Sequence, residues 1–402
     1  MNVSGNADYN PYPGKRNVVY GRKGMVATSQ PLAAEAGLDV LKKGGNAVDA
    51  AVATAACLTV VEPTSNGIGS DCFAIVWING ELHGLNGSGQ APEKLTIEAV
   101  NKAGYTDELP TYGMIPVTVP GTPGAWAELI SRFGKLSLAE VLAPAIEYAE
   151  QGFPLSPTLA KYWDRAYKRY STICEGEEFQ PWFDTFAPEG RAPRTGEIWN
   201  SPGHADTLRE LAETNASSFY HGKLAEQMIS YFEKYDGLLQ REDLAKYKPE
   251  WVKPISVNYR GYQVWEMPPN CQGIIALEAL NLLKGFDFKE KESVETYHKQ
   301  IEAIKLAFCD GLNHITDPAH MSVSPEDLLS DSYIKGLRKR IGAEAFLPFL
   351  KRRRKGERSI WQQQTRTAIW SPLFKAIIWA SAQASSYPVP ELRCKIAATI
   401  SR

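Results

Sequence analysis

The chain has 402 residues, 44% of them apolar and 22% charged. That globular composition argues against wholesale disorder and allows one large domain or about two or three smaller ones. Lysine and arginine total 44 against 46 aspartate and glutamate, a formal charge of −2, so no overall field points to a nucleic-acid or membrane-surface partner.

The first residues, MNVSGNADYNPYPGKRNVVY, carry no apolar signal-like run. The longest apolar stretch, Ala47 to Val61, is shorter than the roughly 20 residues a bilayer crossing needs. A cytoplasmic protein with an N-terminal extension over residues 1–22 is the expectation. Ser29 as N-cap and Pro31 in the first turn predict a helix with Leu32, Ala36, Leu38 and Leu41 on one face, stopped at Gly44-Gly45. Asn46 caps a second helix over 47–61, so rich in small residues all round that it must be buried on most sides. Glu62-Pro63 ends it, and Asn66-Gly67 with Gly69 make a tight loop. CFAIVWI, Asn79-Gly80 and ELHGLNG then read as a hairpin.

Residues 116–124 read as loop and Ala125 to Phe133 as helix. SFYHGKLAEQMISYFEKYDG reads as one helix between turns, and residues 243–269 as a connector and one strand ending at Pro268-Pro269. TYHKQIEAIKLAFCDGLNHITDP reads as a long helix with Ile301, Ile304, Ala307 and Phe308 on one face. Interleaved helices and strand pairs predict an α+β fold.

Standard catalytic strings are absent: no G-x-S-x-G, no P-loop, no H-E-x-x-H. GIGSDC (67–72) lacks the third glycine and the preceding strand of a dinucleotide site, although its backbone can approach a ligand closely. Six cysteines, at 57, 72, 174, 271, 309 and 394, show no two-residue spacing, which argues against a disulfide-dense scaffold or a zinc ribbon. Six histidines are dispersed, His314 and His320 being the closest pair, and read as ordinary surface or structural residues. No metal site is indicated. From the residues alone the chain is an α+β protein, either part of an enzyme or a binding domain.

Several strings carry a resemblance. MVATSQPLAAEAGLDVLKKGGNAVDAAVA, VVEPTSNGIGSD and VPGTPGAWAELISRFGKLSLAEVLAPAIEYAEQGFPL resemble the large subunit of γ-glutamyltransferases, as do YRGYQVWEMPPNCQGIIALEALNLL and HKQIEAIKLAFCDG, in order from about Lys23 to Asp317. The resemblance implies an N-terminal-nucleophile hydrolase with a four-layer αββα sandwich, of which residues 23–345 form the large-subunit part. It implies a precursor that cleaves itself, a threonine nucleophile activated by its own α-amine, γ-glutamyl donors such as glutathione or related amides, and no cofactor.

Two departures qualify this. Many members place an arginine four residues before the proline of R-E-x-A-P to hold the substrate α-carboxylate. Here the string is LNGSGQAP, with Ser88 at that position, followed by Gly89 and Gln90. These three are the expected substrate-binding residues, and a serine hydroxyl cannot replace a guanidinium fork. The NGSG string resembles cephalosporin- and glutaryl-acylase members more, so an acylase acting on glutaryl or other amides is the alternative. Second, the family continues into GT-x6-D-x2-GN, whose threonine is the nucleophile, and no such string occurs in residues 318–402. No catalytic residue is therefore assigned, and the small subunit is expected to be missing.

Residues 346–402 differ in texture: eleven basic residues, only Glu357 and Glu391 acidic, a KRRRK run, and Trp361, Trp370 and Trp379. Reading codons one base out of phase, Gly356-Glu357 permits Gly, Glu357-Arg358 permits Thr and Trp361-Gln362 forces Ala. A permitted reading begins GTVYLATADKDGN. The tail is read as an out-of-frame small-subunit start, with the shift between about Ala345 and Lys355 and an inactive chain as the result. Without the rest of the sandwich, apolar faces such as that of 47–61 are expected to lack cover. The competing reading is a binding module that uses the basic, Trp-bearing tail on a membrane or nucleic acid.

Overall fold

The computed structural model describes residues 19–106 and 109–346, together with the backbone of a strand at 376–379. The extension read over 1–22 and the tail read over 346–402 therefore lie almost wholly outside the described residues. β1 (Met25–Thr28) leads into α1 (Pro31–Lys42) and α2 (Ala47–Val61). The cap of α1 is Gln30, whose side chain accepts the N–H groups of Leu32 and Ala33. Ser29, expected in that role, donates its hydroxyl to Glu62 instead. Pro31 occupies the first helical turn, so the cap falls on the residue before it. Asn46 caps α2 as expected, in a reciprocal box with Asp49.

β2 (Cys72–Ile78) and β3 (Glu81–Gly87) form the expected hairpin. Asn79 and Gly80 have φ of 51° and 83°, the primed turn that matches strand twist. After α3 (Ile97–Lys102), α4 (Thr122–Phe133) starts ahead of Ala125 because Thr122 and Pro123 build its first turn. Then come α5 (Leu138–Gln151), β4 (Phe153–Pro154), α6 (Pro157–Ile173), α7 (Gln180–Phe186), β5 (Ile198–Trp199) and α8 (Pro202–Thr214). The single helix expected over 218–237 is two, α9 (Ser217–His221) and α10 (Lys223–Lys234), because Gly222 leaves the helical region at φ −128°, ψ −147°.

Beyond α11 (Arg241–Lys246) lie three strands where one was expected: β6 (Glu250–Val252), β7 (Ile255–Tyr259) and β8 (Tyr262–Glu266). β7 and β8 join through Arg260-Gly261, with φ of 52° and 90°, a primed turn that places arginine where asparagine is usual. The Arg260 side chain compensates: it donates to the Phe286 carbonyl at 2.9 Å and lies 5.1 Å from the Phe288 ring. The remaining elements are α12 (Gly273–Leu283), α13 (Val294–His314), α14 (Pro325–Leu328), α15 (Asp331–Arg338) and β9 (Ala376–Trp379).

The fold is α+β. β2-β3-β6 form a three-stranded sheet, and β7-β8, β4-β5 and β1-β9 pair in twos. Two full stacked sheets are not present among the described residues. β9 pairs antiparallel with β1, Met25 opposite Trp379. Main-chain groups alone make such a ladder, so pairing there is tolerant of sequence.

α1 packs on α2, α2 on α5 and α5 on α8, around one large core. All of α2 except Ala47 and Ala51 is buried. The expectation that 47–61 lacks cover is therefore overturned: α1, α4 and α5 pack on it, and β1 and the tail strand β9 complete the cover. Asp49, fully buried, accepts the Lys135 N–H at 3.0 Å, so the cap of α2 also pins the turn after α4. A second, smaller core joins Leu282, Ala303, Leu306, Ile334 and Leu337 of α12, α13 and α15. Ala307 does not share the exposed face of Ile301, Ile304 and Phe308. It is fully buried and belongs to a cluster with Ile275 and Ala279, because at about 100° per residue it stands roughly 100° round the helix from Phe308.

Candidate active site

The hairpin register fixes the site. Cys72 lies opposite Gly87, so the residue before β2, Asp71, faces the residues after β3, Ser88 and Gly89. The Gly89 N–H donates to the Asp71 carboxylate. Burial pushes that carboxyl up to about 6, with the Gly89 hydrogen bond opposing the shift.

Ser88 belongs to a closed ring of three side chains. Its hydroxyl donates to Asn86 Oδ1 at 2.7 Å. Asn86 Nδ2 donates to Asn270 Oδ1 at 2.9 Å, and Asn270 Nδ2 returns to Ser88 Oγ at 3.0 Å. Asn86 Oδ1 also accepts the Ser88 N–H at 2.9 Å. The Ser88 hydroxyl proton is thus spent on an amide oxygen, with no general base bonded to it, so this serine is held for positioning and is not activated as a nucleophile.

Backbone packing accounts for the glycines. A Cβ on Gly89 would stand 1.4 Å from the Val119 carbonyl oxygen, and one on Gly121 1.8 Å from that of Gly87. The loop over 119–124 therefore lies directly on the 87–90 segment. Val119 N–H donates to the Gln90 carbonyl at 2.9 Å, and Thr122 donates both N–H and hydroxyl to Ser70 O, at 2.9 and 2.7 Å. Tyr220 and Tyr247, stacked at 5.0 Å, clamp that loop from behind. The Tyr220 hydroxyl donates to Pro120 O at 2.9 Å and that of Tyr247 to Gly121 O at 3.2 Å. Ser88 and Gly89 are half-buried and Gln90 is exposed.

Cys271 and Glu266 border this corner from the β8–α12 connection. Burial raises the Cys271 thiol, with the charges of Asp71 and Glu266 adding to it, and pushes the Cys72 thiol up to about 12. Neither is an activated thiolate. Burial also pushes the Glu266 carboxyl up to about 7. The corner thus offers amide, hydroxyl and backbone groups with two carboxyls, Asp71 and Glu266, at its border, a set suited to hydrogen-bonding a neutral acyl chain.

The sequence reading brought out Ser88, Gly89 and Gln90 but not Asp71, Asn86 or Asn270. Asp71 was accessible from the hairpin: with Asn79-Gly80 as the turn, 71 must face 88. Asn270 was not, being 182 residues from Ser88. Elsewhere, the Ser201 hydroxyl meets His204 Nδ1 at 2.7 Å, but Ser201 is buried and the imidazole sits edge-on to Phe186 and Trp199, so this pair is part of an aromatic core. Among the described residues, no three His, Cys, Asp or Glu side chains gather into a cation-binding group, and no helix is long and apolar enough to cross a membrane.

Comparison with known proteins bears directly on this arrangement. The family model described as Gamma-glutamyltranspeptidase matches residues 33–371. The glutathione hydrolase-like YwrD proenzyme of Bacillus subtilis is 37% identical over 81% of this chain and 61% of its own length. The acylase ACY 1 proenzyme of a Pseudomonas strain is 34% identical over 78% of this chain and 57% of its own. The chain therefore spans about three-fifths of these curated relatives. Among solved structures, the cephalosporin acylase of Bacillus halodurans is 65% identical, with a TM-score of 0.81, over 83% of this chain and 62% of that one. Helicobacter pylori γ-glutamyltranspeptidase matches at 28% identity and a TM-score of 0.75, over 83% of this chain and 95% of that one. With the model matched over most of its length, this chain belongs to the γ-glutamyltranspeptidase family.

Proposed function

We propose that residues 23–345 are the large-subunit part of an enzyme that hydrolyses or transfers acyl groups from small amides, γ-glutamyl donors among them. We further propose that the 402-residue polypeptide carries no nucleophile of its own. The observation that carries this reading is the extent of the match: 95% of one chain of the H. pylori enzyme, against about three-fifths of the proenzymes. Its complement is a sequence fact, the absence of GT-x6-D-x2-GN from residues 318–402. The tail is the out-of-frame counterpart of that string, its permitted shifted reading supplying the threonine. A cytoplasmic setting belongs to the same reading and is supported by the five described cysteines, all free thiols.

The acylase alternative has a specific observation in its favour. Where the resemblance implies a guanidinium for a substrate carboxylate, Ser88 is locked into an uncharged ring with Asn86 and Asn270, and Asp71 stands behind Gly89. A carboxylate placed there would gain no cation and would face a second anion. An acyl chain with no carboxylate at that end fits the corner better, so among the acylase substrates the uncharged amides are favoured over glutaryl ones.

The test is an assay of the purified 402-residue chain on γ-glutamyl-p-nitroanilide and on butyryl-p-nitroanilide, whose acyl chain carries no carboxylate, beside a version of the gene restored by one base between codons 345 and 355. The chain as it stands should neither cleave itself nor release nitroaniline. The restored chain should split into two polypeptides and turn over the butyryl compound faster. Hydrolysis or self-cleavage by the unrestored chain overturns the proposal.

A further inference from the structure

α13 presents a bare apolar stripe. Val294, Tyr297, Ile301, Ile304 and Phe308 are 87%, 48%, 56%, 44% and 39% exposed. Their spacing of three and four residues keeps them within about 80° of arc over roughly 21 Å of helix. The opposite face, with Ala303, Leu306 and Ala307, is buried against α12 and α15. The charges flanking the stripe are already paired, Lys299 with Glu295 and Lys305 with Glu302, so the strip is electrically neutral. A contiguous exposed apolar surface of this kind on one helix marks a contact face.

We propose that this stripe is the seat of the polypeptide which, in the relatives, follows the matched region, and that it takes an uncharged apolar face of that segment. The inference rests on the large-subunit reading above. Two observations select this occupant over a second copy of the chain. About two-fifths of the relatives' own length lies outside the part that this chain spans. The described chain also arrives at Phe346 beside α13: the Phe346 ring packs on the α12–α13–α15 core, 5.2 Å from Lys305 Nζ and 5.4 Å from the Arg340 guanidinium. A continuation leaving from there starts next to the stripe. α2 needs no such partner because α1, α4, α5, β1 and β9 already cover it.

The experiment is thiol labelling at the stripe. Ile304→Cys and, separately, Ile301→Cys are made in the 402-residue chain and in the frame-restored chain, and maleimide uptake on the α13 peptide is followed by mass spectrometry. Both positions are exposed, so neither change disturbs a core. The introduced thiol should label at least tenfold more slowly in the restored protein. Equal rates in the two proteins overturn the proposal. So does protection that appears in the 402-residue chain as its concentration rises, which would assign the stripe to a second copy. If the restored chain does not fold, this chain joined to the remaining part of the B. halodurans acylase supplies the same comparison. Labelling is read independently of turnover: protection without hydrolysis would sink the functional reading and leave the docking face, and hydrolysis without protection would do the reverse.

Discussion

At Asp71 a single carboxyl ties the candidate site to stability. Its ordinary value of 3.8 rises to about 6 in the folded chain because burial penalises the charged form more than the Gly89 N–H favours it. The folded state therefore binds the proton more tightly than the unfolded state. Stability from this group is complete below about pH 3.8, falls as pH rises towards 6, and stays reduced above that, by on the order of 3 kcal/mol. Asp71→Asn keeps an acceptor for the Gly89 N–H and removes the charge. The variant should be more stable than the parent at pH 8 and equal to it near pH 4, as read from urea midpoints. A variant less stable than the parent at pH 8 would mean that the charged form is the one the fold favours. Glu266, raised to about 7 by burial, adds a loss of the same sign between about pH 4.5 and 7, which Asp71→Asn leaves in place.

At the scale of elements, the contact between α12 and α13 contains a carboxyl pair. Glu278, 2% exposed, is pushed up to about 10, by burial first and then by the charge and hydrogen bond of Asp310. Asp310 also accepts the Tyr333 hydroxyl of α15 at 2.6 Å. Glu278 is consequently protonated at neutral pH, and one shared proton joins two helices. Because the folded value is raised, the contribution is complete below about pH 4.5 and is lost as pH climbs to about 10. Above pH 8, Asp71 and Glu266 are already ionised, so any remaining slope from these three groups belongs to Glu278. Glu278→Gln supplies an amide N–H to Asp310 that does not titrate, and it should flatten the fall in the urea midpoint between pH 8 and 10. An unchanged slope would remove the shared proton from the account.

The same elements show what a sequence can yield. The α2 cap and the 72–87 hairpin were legible because Asn46 and Asn79-Gly80 act on their own neighbours. The β7–β8 turn was not, because Arg260 is stabilised in its positive-φ conformation by Phe286 and Phe288, more than twenty residues away. Likewise Ser88 stood out by its place in a motif, whereas its ring partner Asn270 depends on how the β8–α12 connection folds back. The periodicity of α13 gave the helix but not the side on which Ala307 packs, since apolar residues line both faces.

For the whole molecule, the uneven division of the core has a measurable consequence. The large cluster runs from Val26 to Tyr247 and holds α1, α2, α4, α5 and α8. The α12–α15 part rests on two small clusters, led by Leu282 and Leu306 in one and by Ile275 and Ala307 in the other, and it leaves the α13 stripe in water. Buried apolar area is the main stabilising contribution to each part, so the smaller part should open first. Hydrogen exchange of the 402-residue chain should show α13 and α15 amides exchanging at lower urea than those of α2 and α5, as a separate cooperative unit. A partner that covers the stripe binds only the closed form, and at a hundred times its Kd it would raise the opening free energy by about 2.7 kcal/mol. In the frame-restored protein the two sets of amides should therefore move towards a common transition. Coincident exchange of all four helices in the 402-residue chain would contradict this division, because it would require the small clusters to be as strongly held as the core around α2.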